Sequence, residues 1–175
     1  MENKILFIGL DVDDKNYHAH AIVENENVGI DFRSKPNIHS LIKMIKEKFK
    51  ENYTFHFCYE STYSGYFLYR EITKVGHECT IIAASLIPEK SGDKVKNDRL
   101  DAEKLAIYFM KGLLTPIYIP TETDEQVRAL VRSRTFIKDQ QKEIKKHAVA
   151  ICKQLGWNYR QDEKESSSYW TQKHK

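Results

Sequence analysis

Three strand-length apolar runs open the chain, and the links between them are too short for anything but antiparallel neighbours. The runs are residues 4–12, 17–23 and 28–33. The links, DDKN and ENEN, are rich in Asp and Asn, which accept local backbone hydrogen bonds and favour turns. A parallel crossover needs a dozen or more residues. The sequence therefore predicts an antiparallel meander at the start of the fold.

Helix and strand patterns alternate after this meander. An amphipathic helix follows Pro36, with apolar residues spaced by three and four as far as Phe49. The remaining predicted elements are strands at 53–59 and 77–83, helices at 63–75 and 98–111, a loop at 86–97 and an extended linker at 113–120. Right-handed crossovers place the fourth and fifth strands parallel to the first. We therefore predict an α/β fold: a five-stranded mixed sheet with flanking helices.

A heptad pattern follows from Glu122 to Leu155. Its apolar seam comprises Val127, Leu130, Ile137, Ile144, Ala148, Ile151 and Leu155. Arg134 and Gln141 are polar residues at two a positions of this seam. A small domain cannot bury so long a seam, so we expect the helix to pair with a second copy. The predicted organisation is a sheet domain at 1–120, a coiled-coil helix at 121–156 and a polar tail at 157–175.

Composition excludes several classes of protein. Of the 175 residues 41% are hydrophobic, which is enough for a core and argues against wholesale disorder. No apolar run reaches the roughly 18 residues of a membrane helix, and the start lacks a secretory signal. The three cysteines, Cys58, Cys79 and Cys152, form no CxxC pair, which fits a reducing cytoplasm. The net charge of +3 is compatible with nucleic acid but does not establish it.

Four carboxylates are the main chemical signal. Asp11 ends the first predicted strand and Glu60 follows the fourth, so both lie at the edge where open α/β sheets bind ligands. Asp98 and Asp101 are three residues apart and share one face of a helix. Converging carboxylates favour Mg²⁺ or Mn²⁺, and a pair of such ions suits displacement at a phosphodiester. Taken singly, Asp98 and Asp101 also fit helix capping, and Asp11 fits a turn.

Three segments carry a resemblance to a known family. FIGLDVDDK, FCYESTYSGYF and KVKNDRLDAEKLA resemble the N-terminal domain of the DEDD insertion-sequence transposases. This family includes Piv-type DNA invertases and recombinases guided by a bridge RNA. The resemblance covers about residues 5–155 and implies the ribonuclease H-like fold of the junction resolvase RuvC. It also implies that Asp11, Glu60, Asp98 and Asp101 are the catalytic, metal-binding tetrad, and that residues 122–155 form the family's coiled coil.

The resemblance carries expectations about function. It implies metal-dependent DNA cleavage and strand transfer with Mg²⁺ or Mn²⁺, with DNA as the partner; whether a guide RNA also takes part is left open. Complete family members continue into a second domain that carries a nucleophilic serine, whereas this chain stops at Lys175. Ser166, Ser167 and Ser168 do not match that domain's motif. We therefore do not expect recombination by this polypeptide alone.

Two other functions use the same residues. A stand-alone RuvC-like junction-resolving nuclease needs the four acids and a metal-activated water but no serine. A non-catalytic, dimeric nucleic-acid-binding module needs the acids only as helix caps and turn residues.

Further polar side chains are ambiguous in the sequence. Lys90, Lys94, Lys96 and Arg99 flank the second acidic pair, where they either neutralise phosphates or form a solvated loop. His18 and His20 alternate along the second strand; we interpret them as solvated residues, with a metal pair as the alternative.

Overall fold

The computed structural model describes residues 4–49, 53–62, 64–88 and 98–157. The elements are β1 (Lys4–Val12), β2 (Tyr17–Val23), β3 (Ile30–Ser34), α1 (Ile38–Lys48), β4 (Tyr53–Glu60), α2 (Phe67–Lys74), β5 (Glu78–Ile82), a 3₁₀ turn (Ala84–Leu86), α3 (Asp98–Met110) and α4 (Glu122–Gln154). The order of strands and helices agrees with the order predicted from the sequence.

The five strands form one mixed sheet in the order β3-β2-β1-β4-β5. The short links make β1, β2 and β3 antiparallel neighbours, whereas β4 and β5 are reached by helical crossovers and run parallel to β1. The predicted α/β fold is confirmed, and this arrangement of a mixed sheet with flanking helices is ribonuclease H-like.

The two faces of the sheet are covered by different helices. Side chains of alternate strand residues meet α1 and α2 in the main core, which includes Leu6, Ile8, Leu10, Leu41, Ile45, Phe55, Phe57, Tyr59, Leu68 and Ile72. The opposite face is covered by α3, whose Leu105 packs against Cys58 and Ile82. Successive residues of a strand point to opposite faces of the sheet. Along each strand, side chains therefore alternate between the face covered by α1 and α2 and the face covered by α3.

Helix α2 begins later than predicted. The apolar spacing favours a helix from residue 63, but the helix begins at Phe67. Gly65 has a φ of 57°, in the left-handed region, and its amide donates to the carbonyl of Thr62 at 3.3 Å. This turn replaces the predicted first helical turn. The predicted loop at 86–97 is preceded by a 3₁₀ turn that ends at Leu86, and its residues 89–97 lie outside the described residues.

The predicted linker at 113–120 is extended and pairs with the end of β5. The amide of Ala83 donates to the carbonyl of Thr115 at 3.0 Å, and the amide of Ile117 donates to the carbonyl of Ile81 at 2.9 Å. The chain divides into two compact units, Met1–Ile119 and Pro120–Lys175.

Helix α4 dominates the second unit. Thr121 caps its N-terminus, because the Thr121 hydroxyl accepts from the amide of Asp124 at 3.1 Å. Most of its apolar side chains are exposed, and Val149 is the buried residue within its described span. No helix in the described part of the chain is both long enough and apolar enough to cross a membrane.

The cysteines give a direct check on the core. Cys58 is buried against α3, and burial raises the pKa of its thiol; burial likewise raises the pKa of Cys79 to about 12. Only a thiolate attacks a disulfide reagent, and a pKa near 12 leaves about one Cys79 in ten thousand ionised at pH 8.

We therefore expect Cys152 alone to react quickly with Ellman's reagent in the native protein. In denaturant, all three cysteines should react. The rate at Cys79 should keep rising with pH up to about 12. Cys152→Ser should remove the fast phase. Two or more fast equivalents in the native wild type would show that the packing around Cys58 or Cys79 is wrong.

Candidate active site

Asp11 and Glu60 lie side by side at the carboxyl edge of the sheet. In the parallel β1–β4 pair, Leu10 is the partner of Tyr59, so the next residues on both strands are level with each other. Leu10 and Tyr59 point into the main core, and therefore Asp11 and Glu60 point to the opposite face. Both acids are half-buried. Two of the predicted ligands thus share one edge and one face.

Helix α3 is pressed against this face at Gly9. A Cβ placed on Gly9 would lie 2.3 Å from the carbonyl oxygen of Ala102 and 2.4 Å from the amide nitrogen of Ala106. Nearby, the thiol of Cys58 donates to the carbonyl of Leu105 at 3.7 Å. The helix backbone therefore rests directly on β1, and it can do so only because residue 9 has no side chain.

The direction of α3 brings its first turn to the same edge. The Phe7 ring contacts Phe109, with centroids 5.6 Å apart, whereas Gly9 lies between Ala102 and Ala106. The helix therefore runs antiparallel to β1. Asp11 lies two strand residues beyond Gly9, about 6.6 Å farther on. At a rise of about 1.5 Å per residue, this corresponds to about four helix residues, which is the level of the first turn of α3.

The first turn of α3 carries the other two predicted acids. Asp101 is half-buried and precedes Ala102, the residue whose carbonyl approaches Gly9. Asp98 is the first residue of α3, but its side chain lies outside the described part of the structure. Asp98 and Asp101 therefore belong to the helix turn that is level with Asp11 along β1.

Buried Tyr59 fixes the chain that follows Glu60. Its hydroxyl donates to the carbonyl of Gly65 at 3.0 Å and accepts from the amide of Tyr69 at 3.1 Å. Burial raises the pKa of this phenol well above its ordinary value, so it remains a neutral donor. The amide of Ser61 also continues the sheet by donating to Ile82 at 2.9 Å. Glu60 is therefore held between two anchored residues.

His20 corrects one interpretation of the sequence. It is 5% exposed, so it is not a solvated strand residue, and its Nδ1 lies 2.7 Å from Oδ1 of Asp31. A carboxylate only accepts, so Nδ1 carries the proton. Arg99, in the first turn of α3, donates to Oδ2 of the same carboxylate at 2.9 Å. Burial opposes ionisation of Asp31, but the bonds from His20 and Arg99 hold its pKa below the ordinary value.

The neighbouring histidine lies closer to the predicted tetrad. His18 is the cross-strand partner of Asp11 in the antiparallel β1–β2 pair, and directly opposed residues have Cβ atoms about 5 Å apart. Nothing in the sequence pattern gave Asp31 a role, because the register that pairs it with His20 is a property of the folded hairpin.

The tetrad as a metal site stays a prediction. Over residues 4–49, 53–62, 64–88 and 98–157, no three or more His, Cys, Asp or Glu side chains are grouped as a metal cluster. The fourth acid, Asp98, is described only by its backbone. Lys90, Lys94 and Lys96, for which the sequence left phosphate contact and a solvated loop as alternatives, lie outside the described residues, and Arg99 contacts Asp31.

Comparison with known proteins gives the family. A family model for DEDD transposases of the IS110 type, described as a transposase, matches residues 8–155, which is most of the chain. The chain belongs to the DEDD transposases of the IS110 type. The resemblance noted in the sequence is therefore confirmed, and the match extends across the sheet unit into α4.

Two curated relatives support the assignment to the IS110-type transposases. A protein named putative transposase y4qE, from Sinorhizobium fredii, is 43% identical over 136 residues, which cover 74% of this chain and 34% of the relative. The transposase for insertion sequence element IS1533, from Leptospira borgpetersenii, is 33% identical over 141 residues, covering 79% of this chain and 40% of the relative. The IS110-type chain therefore spans between a third and two fifths of the length of these relatives.

Proposed function

We propose that this chain is the metal-binding catalytic part of a transposase that cleaves and joins DNA strands in the cytoplasm. The observation that carries the proposal is the close contact between Gly9 and α3. It supports an arrangement in which the first turn of α3 faces Asp11 and Glu60. In this proposal, oxygen donors from two strands and one helix would bind one metal site there, and such donor sets suit Mg²⁺ or Mn²⁺.

Each of the four acids has a distinct structural task in this proposal. Asp11 and Glu60 would present carboxylates from neighbouring strands, whereas Asp98 and Asp101 belong to the first turn of a helix packed on the same face. A bound pair of divalent ions would stabilise the attacking and leaving oxygens of a phosphodiester displacement. Within the chain, half-burial of Asp11, Glu60 and Asp101 limits their motion, which keeps the oxygen ligands at fixed positions.

DNA is the substrate in this proposal, and family resemblance suggests a serine nucleophile from the second domain of complete family members. A guide RNA is a separate question, which binding measurements with DNA and RNA of equal length would address. The first unit would hold the metal, and α4 would pair with α4 of a second copy.

Mn²⁺ binding tests the tetrad in this chain. We expect Asp11→Asn, Glu60→Gln and Asp101→Asn each to weaken Mn²⁺ binding at least tenfold, because each replaces a charged oxygen ligand by a neutral amide. Electron paramagnetic resonance of free Mn²⁺ gives the affinity, and far-UV circular dichroism checks the fold. Asp139→Asn, an exposed acid on α4, is the matched control. Equal affinities in Asp11→Asn and Asp139→Asn would refute the metal assignment.

Activity assays separate the two rival functions from the proposal. Cleavage of a four-way DNA junction by this chain alone, abolished by Asp11→Asn, would favour a junction-resolving nuclease. DNA binding that is unaffected by Mn²⁺ and by all three substitutions would favour a non-catalytic binding module. The transposase proposal expects Mn²⁺ binding without turnover by this chain alone.

A further inference from the structure

A chain of polar contacts on the α3 face of the sheet joins His20, Asp31 and Arg99. It joins β2, β3 and the first turn of α3. His20 and Asp31 are cross-strand partners, and both carboxylate oxygens of Asp31 are used, one by His20 at 2.7 Å and the other by Arg99 at 2.9 Å. The sheet is thereby tied to the helix turn that carries two of the four acids.

The first turn of α3 needs such a tie. Farther along the helix, Ala102, Leu105 and Ala106 are buried against the sheet. In the first turn, Arg99 and Leu100 are exposed, Leu100 by 43%. Apolar packing therefore fixes α3 from residue 102 onward, and the Arg99–Asp31 ion pair fixes the turn before it. An ion pair at the helix terminus holds the first turn in position, whereas an unsupported terminus frays readily.

The imidazole of His20 also lies close to the backbone at Gly29. A Cβ on Gly29 would lie 2.1 Å from Nε2 of His20 and 2.8 Å from the carbonyl oxygen of Ala21. The imidazole is therefore confined between the Gly29 backbone on one side and Asp31 on the other. With Oδ1 of Asp31 bonded to His20, Oδ2 accepts the bond from Arg99.

Resting on the proposed function, we infer that Asp31 is a positioning residue for the metal site. Held by His20, it pairs with Arg99 and sets where Asp98 and Asp101 lie relative to Asp11 and Glu60. Arg99 then serves mainly to fix the helix rather than to contact a DNA phosphate. Substitution of Asp31 distinguishes the two roles. If Arg99 fixes the helix, loss of the ion pair should weaken metal binding. If Arg99 instead binds a DNA phosphate, substitution of Asp31 should leave metal binding unchanged.

Two substitutions break the same ion pair from opposite ends. Asp31→Asn keeps the shape of the side chain and leaves Arg99 intact, whereas Arg99→Gln leaves Asp31 intact. We expect each to weaken Mn²⁺ binding by about three- to tenfold, the range expected from one partly exposed charged hydrogen bond. The double variant should weaken binding by less than the product of the two single effects, because both substitutions remove the same ion pair. Glu26→Gln, an exposed acid in the β2–β3 connection, is the matched control.

Hydrogen exchange gives a readout that does not depend on metal. The amides of Ala102 and Glu103 are the first in α3 with acceptors inside the helix, so they report opening of the first turn. In Asp31→Asn they should exchange about three- to tenfold faster than in wild type, whereas amides from Leu105 to Met110 keep their rates. An unchanged melting temperature, relative to Glu26→Gln, would show that positioning rather than global stability is affected.

The outcomes are distinguishable. If wild type binds no Mn²⁺, the proposed function fails, and the exchange rates still decide the inference. Faster exchange confined to the first turn supports it. Exchange and Mn²⁺ affinity in Asp31→Asn that equal those of Glu26→Gln overturn it. A loss of DNA affinity in Arg99→Gln without any change in exchange or Mn²⁺ binding also overturns it, since Arg99 would then act on phosphate.

Discussion

Gly9→Ala is expected to destabilise the sheet unit by about 3 kcal/mol or more and to abolish Mn²⁺ binding. The added methyl would meet the carbonyl of Ala102 and the amide of Ala106, both backbone atoms of α3. Overpacking against side chains costs about 1–3 kcal/mol, and a helix backbone yields less than a side chain does. The helix must therefore move away from β1, and its first turn, which carries Asp98 and Asp101, moves with it.

The matched control for this prediction is Gly112→Ala, just beyond the end of the same helix. A methyl there would meet nothing within 4 Å, but Gly112 has a φ of 66°. The cost should be only the left-handed strain, about 1–2 kcal/mol, and Mn²⁺ binding should be unaffected. Urea unfolding gives the two free energies, and resonance of free Mn²⁺ gives the two affinities. Equal behaviour of the two variants would show that α3 does not rest on Gly9.

The sheet order could be predicted from the lengths of the links. DDKN and ENEN are too short for a crossover, and the segments that contain α1 and α2 are long enough for one. Chain connectivity therefore restricted the topology before any packing was considered. The placement of Asp11 and Glu60 at one edge follows from the same reasoning, since it requires only strand order and direction.

Features that depend on register or tertiary contact were not predictable in this way. The beginning of α2 is shifted because Gly65 adopts a left-handed conformation and Tyr59, distant by six residues, bonds to it. Likewise, His20 was interpreted as solvated because its partner, Asp31, is identified only by the hairpin register. The sequence also offers no way to know that α3 covers the face on which His20 lies. In each case the contact that determines the local structure joins residues that come together only in the folded chain.

Gly9 lies between these two cases. A glycine inside an apolar strand indicates a close backbone approach, but its partner cannot be read from the strand itself. The partner is α3, where two alanines, Ala102 and Ala106, occupy the contacting face. Small residues on both elements allow the helix to approach closely, and this closeness carries the acids of α3 toward those of the sheet.

Helix α4 leads to the second large prediction: this chain is expected to dimerise through it, and Ile137→Asp/Ile144→Asp should yield a monomer. Along the predicted seam Leu130, Ile137 and Ile144 are 72%, 65% and 68% exposed. A helix of 33 residues with such a stripe is stable in water only if the stripe is covered. A second copy supplies an identical stripe, which a heptad spacing of apolar residues matches.

The expected effect is large because both substitutions fall in the middle of the seam. Each fully buried aliphatic side chain contributes about 1.5–3 kcal/mol, and an unpaired aspartate placed there adds a further desolvation cost. In the dimer the two substitutions occur twice. Association should therefore become less favourable by well over about 5 kcal/mol, which raises the dissociation constant more than about a thousandfold. Arg134 and Gln141 at a positions should favour one register and a low oligomer number.

Sedimentation equilibrium decides the matter, with a control on another face of the same helix. Asp139→Ala/Glu143→Ala changes two exposed charges away from the seam, and it should dimerise as wild type does. Circular dichroism should show less helix in the double aspartate variant, because an isolated helix in water is marginal without its partner. If wild type and the aspartate variant both sediment as monomers with equal helix content, the seam is not a dimer contact. Dimerisation lost only in the aspartate variant would identify the seam of α4 as the dimer contact.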